Sequence, residues 1–281
     1  MSALPFDLAK QVTTALAEDI GSGDVTAELV PATQHVTGKV ITREQAILCG
    51  CAWVAETFRQ LDPSVRLTWH ASDGDRVTPN QTLFEVTGLA RPVLTGERTA
   101  LNFLQLLSAT ATAARAYVDA IAGTECAILD TRKTLPGRRT AQKYAVVCGG
   151  GQNHRVGLFD QVLIKENHIA AAGSLAAAIA AGRRAAGARK VEVEVETLAE
   201  FAEALDAAPD IILLDEFSLA DMKSAVEINR SKGRPVKLEA SGSVNLETVR
   251  SVAQTGVDYI SIGGITKHVR AVDLSMRLDF P

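Results

Sequence analysis

The chain has 281 residues, 47% of them apolar and 22% charged, with a formal net charge of −4. That length allows one large α/β domain or two of ordinary size, and the composition excludes disordered and fibrous classes. The mild acidity argues against general nucleic-acid binding, which leaves a basic surplus, and no apolar run approaches the roughly 20 residues that a bilayer-spanning helix needs.

The N-terminal "MSALPFDLAKQ" lacks the basic segment and long apolar stretch of a secretory signal, so the expected location is cytoplasmic. Residues 6–19 read as an amphipathic helix ending before the Gly-rich "IGSGD". The β-branched residues of "HVTGKVITRE" (35–44) and "VRLTWHA" (65–71) predict strands. Between them "CAWVAETFRQL" (51–61) predicts a helix that stops at Asp62-Pro63. "SDGDRV" is a turn signal, and "QTLFEVTG" (81–88) alternates as a half-buried strand. "DGDRVTPNQTLFEV" is reminiscent of biotinyl or lipoyl carrier sheets, but no lysine stands at a hairpin tip, so the segment is scaffold. Cys49 and Cys51 form a C-x-C with no further ligands at zinc spacing, and Cys126 and Cys148 lie in apolar segments. The four cysteines therefore predict buried, inert thiols rather than a disulfide framework.

From Gly96 the rhythm changes. "GERTALNFLQLLSATATAARAYVDAI" carries apolar residues at three- and four-residue steps and predicts a long helix. Six short apolar runs follow, each leading into a helix: "CAILD" (126–130), "QVLI" (161–164), "VEVEV" (191–195), "IILLD" (211–215), "VKLEA" (236–240) and "YISIG" (259–263). Alternation of this kind means parallel βαβ units, arranged as an open sheet or a barrel. No G-x-G-x-x-G follows the first strand, which favours a barrel short of eight strands.

In such barrels the chemistry sits on loops after the strands. Those positions hold Arg132 and Lys133; Lys165, Glu166 and His168; Glu194 and Glu196; Asp215; Ser241-Gly242-Ser243; and Gly263-Gly264. The last two loops lead into helices, so their N–H groups suit a phosphate. Glu194 and Asp215 suit Mg²⁺, bound directly or through water, or ribose hydroxyls, and an acid/base pair is the rival. Arg132, His154, Arg155 and Lys165 suit a small acid with more than one carboxylate.

"DTRKTLPGRR", "GGGQNHRVGLFDQVLIKENH", "VEVEVETL", "ILLDEF", "EASGSVN" and "ISIGGITKHV", with "ERTALNFLQ", closely resemble the quinolinate phosphoribosyltransferase family of NAD biosynthesis. The resemblance runs from about residue 18 to residue 278. It implies an α/β protein, with an N-terminal α+β open-sandwich domain (1–110) and a C-terminal incomplete parallel α/β barrel (111–281), whose extreme C-terminus packs back on the first domain. It also implies Mg²⁺ and a homodimer or higher homo-oligomer. The implied reaction joins quinolinate to phosphoribosyl diphosphate, giving nicotinate mononucleotide, diphosphate and CO₂.

Carried over by motif, Thr131, Arg132, His154, Arg155 and Lys165 would contact quinolinate, and Arg98 would enter from the neighbouring subunit. Lys133, Glu194 and Asp215 would be catalytic, serving phosphoribosyl diphosphate, with the two carboxylates on the metal. Ser241, Gly242, Ser243, Ile262, Gly263 and Gly264 would hold phosphate. Lys267 stands where some members carry histidine and joins the phosphate candidates. The alternatives are a paralogous protein of the molybdenum-transport type and a non-catalytic sugar-phosphate-binding barrel.

Overall fold

The computed structural model describes residues 3–280. In chain order its main elements are α1 (Leu8–Ile20), β1 (His35–Thr42), β2 (Ala46–Ile47), α2 (Cys51–Leu61), β3 (Arg66–Trp69), β4 (Arg76–Val77), β5 (Thr82–Leu89) and α3 (Ala90–Ala120). They continue as β6 (Ala127–Leu129), α4 (Arg139–Cys148), β7 (Val162–Ile164), α5 (Glu166–Ala172), α6 (Leu175–Ala186), β8 (Val191–Val195), α7 (Leu198–Asp206) and β9 (Ile211–Asp215). Last come α8 (Leu219–Ser231), β10 (Lys237–Ser241), α9 (Val249–Ala253), β11 (Tyr259–Ser261), α10 (Gly264–Lys267) and β12 (Leu274–Asp279). Two compact units form: residues 1–115, 135–150 and 266–281 in one, and residues 116–134 and 151–265 in the other.

The first unit is built on an antiparallel sheet in the order β12-β1-β5-β3. β1 alternates buried and exposed residues along its length, so one face is apolar. β12 completes the sheet against β1, Thr37 opposite Asp279 and Thr42 opposite Leu274. α2 is capped from a distance: Asp73 Oδ1 accepts the N–H groups of Gly50 and Cys51 at 2.9 and 3.0 Å, and its Oδ2 accepts the Tyr144 hydroxyl at 2.8 Å.

α3 begins at Ala90, six residues before the start that the sequence pattern predicts. Pro92 falls in its first turn, where a missing N–H costs nothing. Gly96 is a packing position rather than a helix start. A Cβ there would lie 2.7 Å from Leu61 and 3.0 Å from Phe58, so its bare backbone lets α2 and α3 approach.

Cys49, Cys148 and Asp73 bring their ligand atoms within 4.8 Å of one another, a grouping that sequence spacing hides. All four cysteines are free. Burial raises the thiol pKa values of Cys49 and Cys51, and raises that of Cys126 to about 12. Cys148 moves the other way, lowered by a hydrogen bond from Cys49.

The second unit is a six-stranded parallel sheet in the order β6-β11-β10-β9-β8-β7. The first strand therefore lies beside the last, which is barrel order, and the sheet stays open between β6 and β7. Ile164, Val193, Ile212, Leu214, Leu238, Ala240 and Ile260 are buried, as expected where helices cover the outside. Ser174, Thr197 and Ser218 cap α6, α7 and α8 by accepting the N–H three residues on. The caps at Thr197 and Ser218 terminate the loops that leave β8 and β9.

Candidate active site

The loop after β6 is anchored by Asp130, which is fully buried. Its carboxylate accepts the side-chain amide of Asn153 at 2.6 Å and the backbone N–H of His154 at 2.9 Å. Gln152 bridges Leu129 in parallel, so residues 152–154 run along the free edge of β6. In this way Arg155, which no strand carries, reaches the same cavity as Arg132.

That cavity, of about 200 Å³, opens at the C-terminal ends of the strands. Eight of the residues predicted from sequence line it: Thr131, Arg132, Lys133, His154, Arg155, Lys165, Glu194 and Ser241. Lys165 pairs with Glu194 through its ammonium group. Burial, and then repulsion from Arg132, lower the pKa of the Arg155 guanidinium, while Glu192 and Asp160 oppose the shift. An arginine remains cationic under any such shift.

Asp215 ends β9 level with Ser241 on β10. Glu194 lies level with Leu213 on the adjoining strand, so Asp215 stands one inward-facing position further along than Glu194. Gly242 adopts φ +125°, and a Cβ there would meet the Glu216 carboxylate carbon at 2.7 Å. Gly263 leaves room for Lys133: a Cβ would lie 2.9 Å from its Cδ. The Ile262 N–H is already given to the Leu129 carbonyl at 3.0 Å, and Gly264 opens α10. Arg98 on α3 and Lys267 on α10 belong to the first compact unit, and both are exposed. Glu196 and Glu166 are exposed, while His168 Nδ1 accepts the Lys165 N–H at 3.0 Å.

Beneath the mouth lies a group that sequence reading passed over. His154 Nε2 is 3.0 Å from Glu192 Oε2 and 3.5 Å from Glu239 Oε2, and both glutamates have no exposed surface. Gln161 also donates to Glu192, at 2.6 Å. His154 Nδ1 accepts the Arg155 backbone N–H at 2.7 Å. The Nδ1 atom is thus occupied by the backbone, and Nε2 is the atom turned toward the two glutamates. The available signal was alternation: Glu192 shares a strand face with Glu194, and Glu239 with Ser241. A third omission is Glu216, whose Oε1 accepts the Ser243 hydroxyl at 2.9 Å.

Models of the N-terminal and C-terminal domains of quinolinate phosphoribosyl transferase match residues 24–108 and 110–277. The chain belongs to the quinolinate phosphoribosyltransferase family. It is 42% identical over 284 residues to the carboxylating nicotinate-nucleotide pyrophosphorylase of Mycobacterium leprae, covering 99% of this chain and 100% of that one. It is 38% identical over 272 residues to the probable enzyme of the same name from Bacillus subtilis, covering 96% and 93%. Among solved structures, the nicotinate-nucleotide pyrophosphorylase of Francisella tularensis superposes with a TM-score of 0.94 at 47% identity, covering 99% of this chain and 98% of that one. NadC of Streptococcus pyogenes superposes with a TM-score of 0.95 at 36% identity, covering 100% and 99%. Among the described residues, no helix is long and apolar enough to cross a membrane.

Proposed function

We propose that the chain transfers the phosphoribosyl group of phosphoribosyl diphosphate to the ring nitrogen of quinolinate, with loss of CO₂, giving nicotinate mononucleotide and diphosphate. The observation that carries this reading is the convergence of Arg132, Lys133, Arg155 and Lys165 on one cavity at the strand ends. Four cations are disproportionate for a single carboxylate. They match a dicarboxylate beside a phosphate ester, and arginine adds the forked geometry that carboxylates accept. Full-length relatives named as carboxylating pyrophosphorylases disfavour both alternatives, the molybdenum-transport paralogue and the non-catalytic barrel.

In this reading Arg132 and Arg155 hold the two carboxylates of quinolinate, with Thr131 and Lys165 at the cavity wall. His154, held through both ring nitrogens, forms part of the cavity wall. Lys133, lying over Gly263, takes the phosphoribosyl diphosphate, whose 5′-phosphate enters the loops at Ser241–Ser243 and Ile262–Gly264. As the ring nitrogen bonds to the ribose carbon and diphosphate leaves, the cations stabilise the departing charge and Glu194 the cationic sugar carbon. The pyridinium nitrogen then stabilises the electron pair left at the adjacent carbon when CO₂ departs. The chain need only orient that carboxylate and shield it from water.

Glu194 and Asp215 are hard oxygen donors facing the same way on adjoining strands, a set that fits Mg²⁺ shared with substrate phosphates. There the ion would neutralise diphosphate charge, and Lys165 would exchange Glu194 for the substrate. We further infer a homodimer in which the exposed Arg98 enters the neighbouring site, and a cytoplasmic location. A crystal grown with phthalate, the ring-carbon analogue of quinolinate, tests the placement. Phthalate against Arg132 and Arg155 supports it, and phthalate bound anywhere else refutes it.

A further inference from the structure

Cys49 and Cys148 have no part in the mechanism above. Both lie in the first compact unit. Cys49 follows β2 and directly precedes Gly50, which caps α2, and Cys148 is the last residue of α4. Their sulfur atoms lie within 4.8 Å of one another, and the Cys49 thiol donates a hydrogen bond to the Cys148 sulfur. The two differ in access: Cys49 has no exposed surface, whereas Cys148 is only half-buried. One thiol that a small reagent reaches, in contact with a second that it does not, is the arrangement of an attacking and a resolving cysteine.

We propose that Cys148 and Cys49 form an oxidative modification site, at which a peroxide oxidises the half-buried Cys148 and Cys49 then closes a disulfide with it. The inference stands apart from the proposed function, whose residues it does not use. It also departs from the sequence expectation, which made all four thiols inert.

The chemistry balances with one peroxide. The Cys148 thiolate attacks one peroxide oxygen, the O–O bond breaks, and the leaving hydroxide takes up a proton as water, leaving a sulfenic acid. Cys49 then gives up its proton and attacks the Cys148 sulfur. The S–O bond breaks, and the departing hydroxide takes that proton to become a second water. Two thiols have supplied the two electrons that reduce the peroxide. From their present separation the sulfurs need approach by at most about 3 Å to reach the roughly 2.05 Å of a disulfide.

The surroundings favour this pair over the other two thiols. The hydrogen bond from Cys49 lowers the pKa of Cys148 and Tyr144 adds to the shift, while burial and the Asp73 carboxylate oppose it. Burial, and then Asp73, raise the pKa of Cys51, and burial raises that of Cys126, which belongs to the other unit. A thiol that holds its proton is a poor nucleophile, so neither competes with Cys148.

The test counts thiols in the full-length protein. Reduced protein is treated with a few equivalents of hydrogen peroxide, then unfolded, and its free thiols are alkylated with iodoacetamide. Intact mass should show two of the four thiols protected, and dithiothreitol should restore all four. Trypsin releases Cys49 and Cys51 within residues 44–59 and Cys148 within residues 144–155. These two peptides should be found joined in wild type and equally in Cys51→Ser. In Cys49→Ala no disulfide should form, and dimedone should trap Cys148 as its sulfenic acid. Native wild type that forms no such bond, under conditions that oxidise the unfolded chain, overturns the proposal. A bond made by Cys51 instead of Cys49, or a bond between two chains on non-reducing electrophoresis, overturns it as well. Should Cys49→Ala fail to fold, fragmentation of the joined wild-type peptides decides between Cys49 and Cys51.

Discussion

The carboxylate of Glu216 accepts the hydroxyl of Ser243 at 2.9 Å, which sets a negative charge against the loop assigned to phosphate. Glu216 holds a positive φ of 52°, so its backbone turns the side chain back over Gly242. A phosphate arriving at Ser241–Ser243 meets that charge. Glu216→Gln keeps a partner for Ser243 and removes the repulsion. Its KM for phosphoribosyl diphosphate should fall by about two- to tenfold, as expected for one charge at a partly solvated site. An unchanged or raised KM would place the phosphate elsewhere.

Gly263→Ala should leave the thermal midpoint almost unchanged while lowering activity by about tenfold or more. The added methyl would meet the flexible Lys133 side chain at 2.9 Å, so the chain moves and the fold does not strain. Displacing a charged group by an ångström is enough for such a loss. Full activity would show that Lys133 has no fixed task.

His154→Leu should destabilise the protein by about 3 kcal/mol in chemical denaturation, because Glu192 and Glu239 would stay buried without their shared neighbour. Adding Glu192→Gln should recover part of the loss. Strict additivity of the two substitutions would mean that the residues do not interact.

Stability should also fall as pH rises through the titration of Glu239. Its folded pKa of about 8 lies above the ordinary value of 4.5, so between those limits the folded chain holds a proton that the unfolded chain has lost. The slope of unfolding free energy with pH is then negative across that window, and no such contribution exists below it. Glu239→Gln should flatten the slope, as read from thermal midpoints between about pH 5 and pH 8. An equally steep decline in that variant would assign the effect to other groups.

Arg98→Ala and Lys133→Ala should each be inactive alone, and mixing them should restore activity as subunits exchange, since one hybrid site is intact. No recovery after demonstrated exchange would put Arg98 in its own subunit's site.

Much of this was legible in the chain. The six parallel strands follow from short apolar runs alternating with helices, and the groups after them, Arg132, Lys133, Lys165, Glu194 and Ser241, follow from strand-end position. Three things were not. Gly96 carried a helix-start signal that Pro92 and close packing against Phe58 and Leu61 overrode. β12 pairs with β1 from more than 200 residues away, and "LSMRLD" has too little alternation to announce a strand. Glu192 and Glu239 sat inside strands that read as core, where a carboxylate is unexpected until His154 is seen to arrive from another loop. Long-range contacts decide the pairing of β12 and the neighbour of the two buried glutamates, whereas Pro92 and the alternation along β8 and β10 were local signals.

Release of labelled CO₂ from carboxyl-labelled quinolinate, with Mg²⁺ and phosphoribosyl diphosphate present, tests the central claim most directly. Labelled CO₂ should appear in step with nicotinate mononucleotide, one for one, only when both substrates are supplied. A folded protein that binds both substrates and releases none would contradict the account.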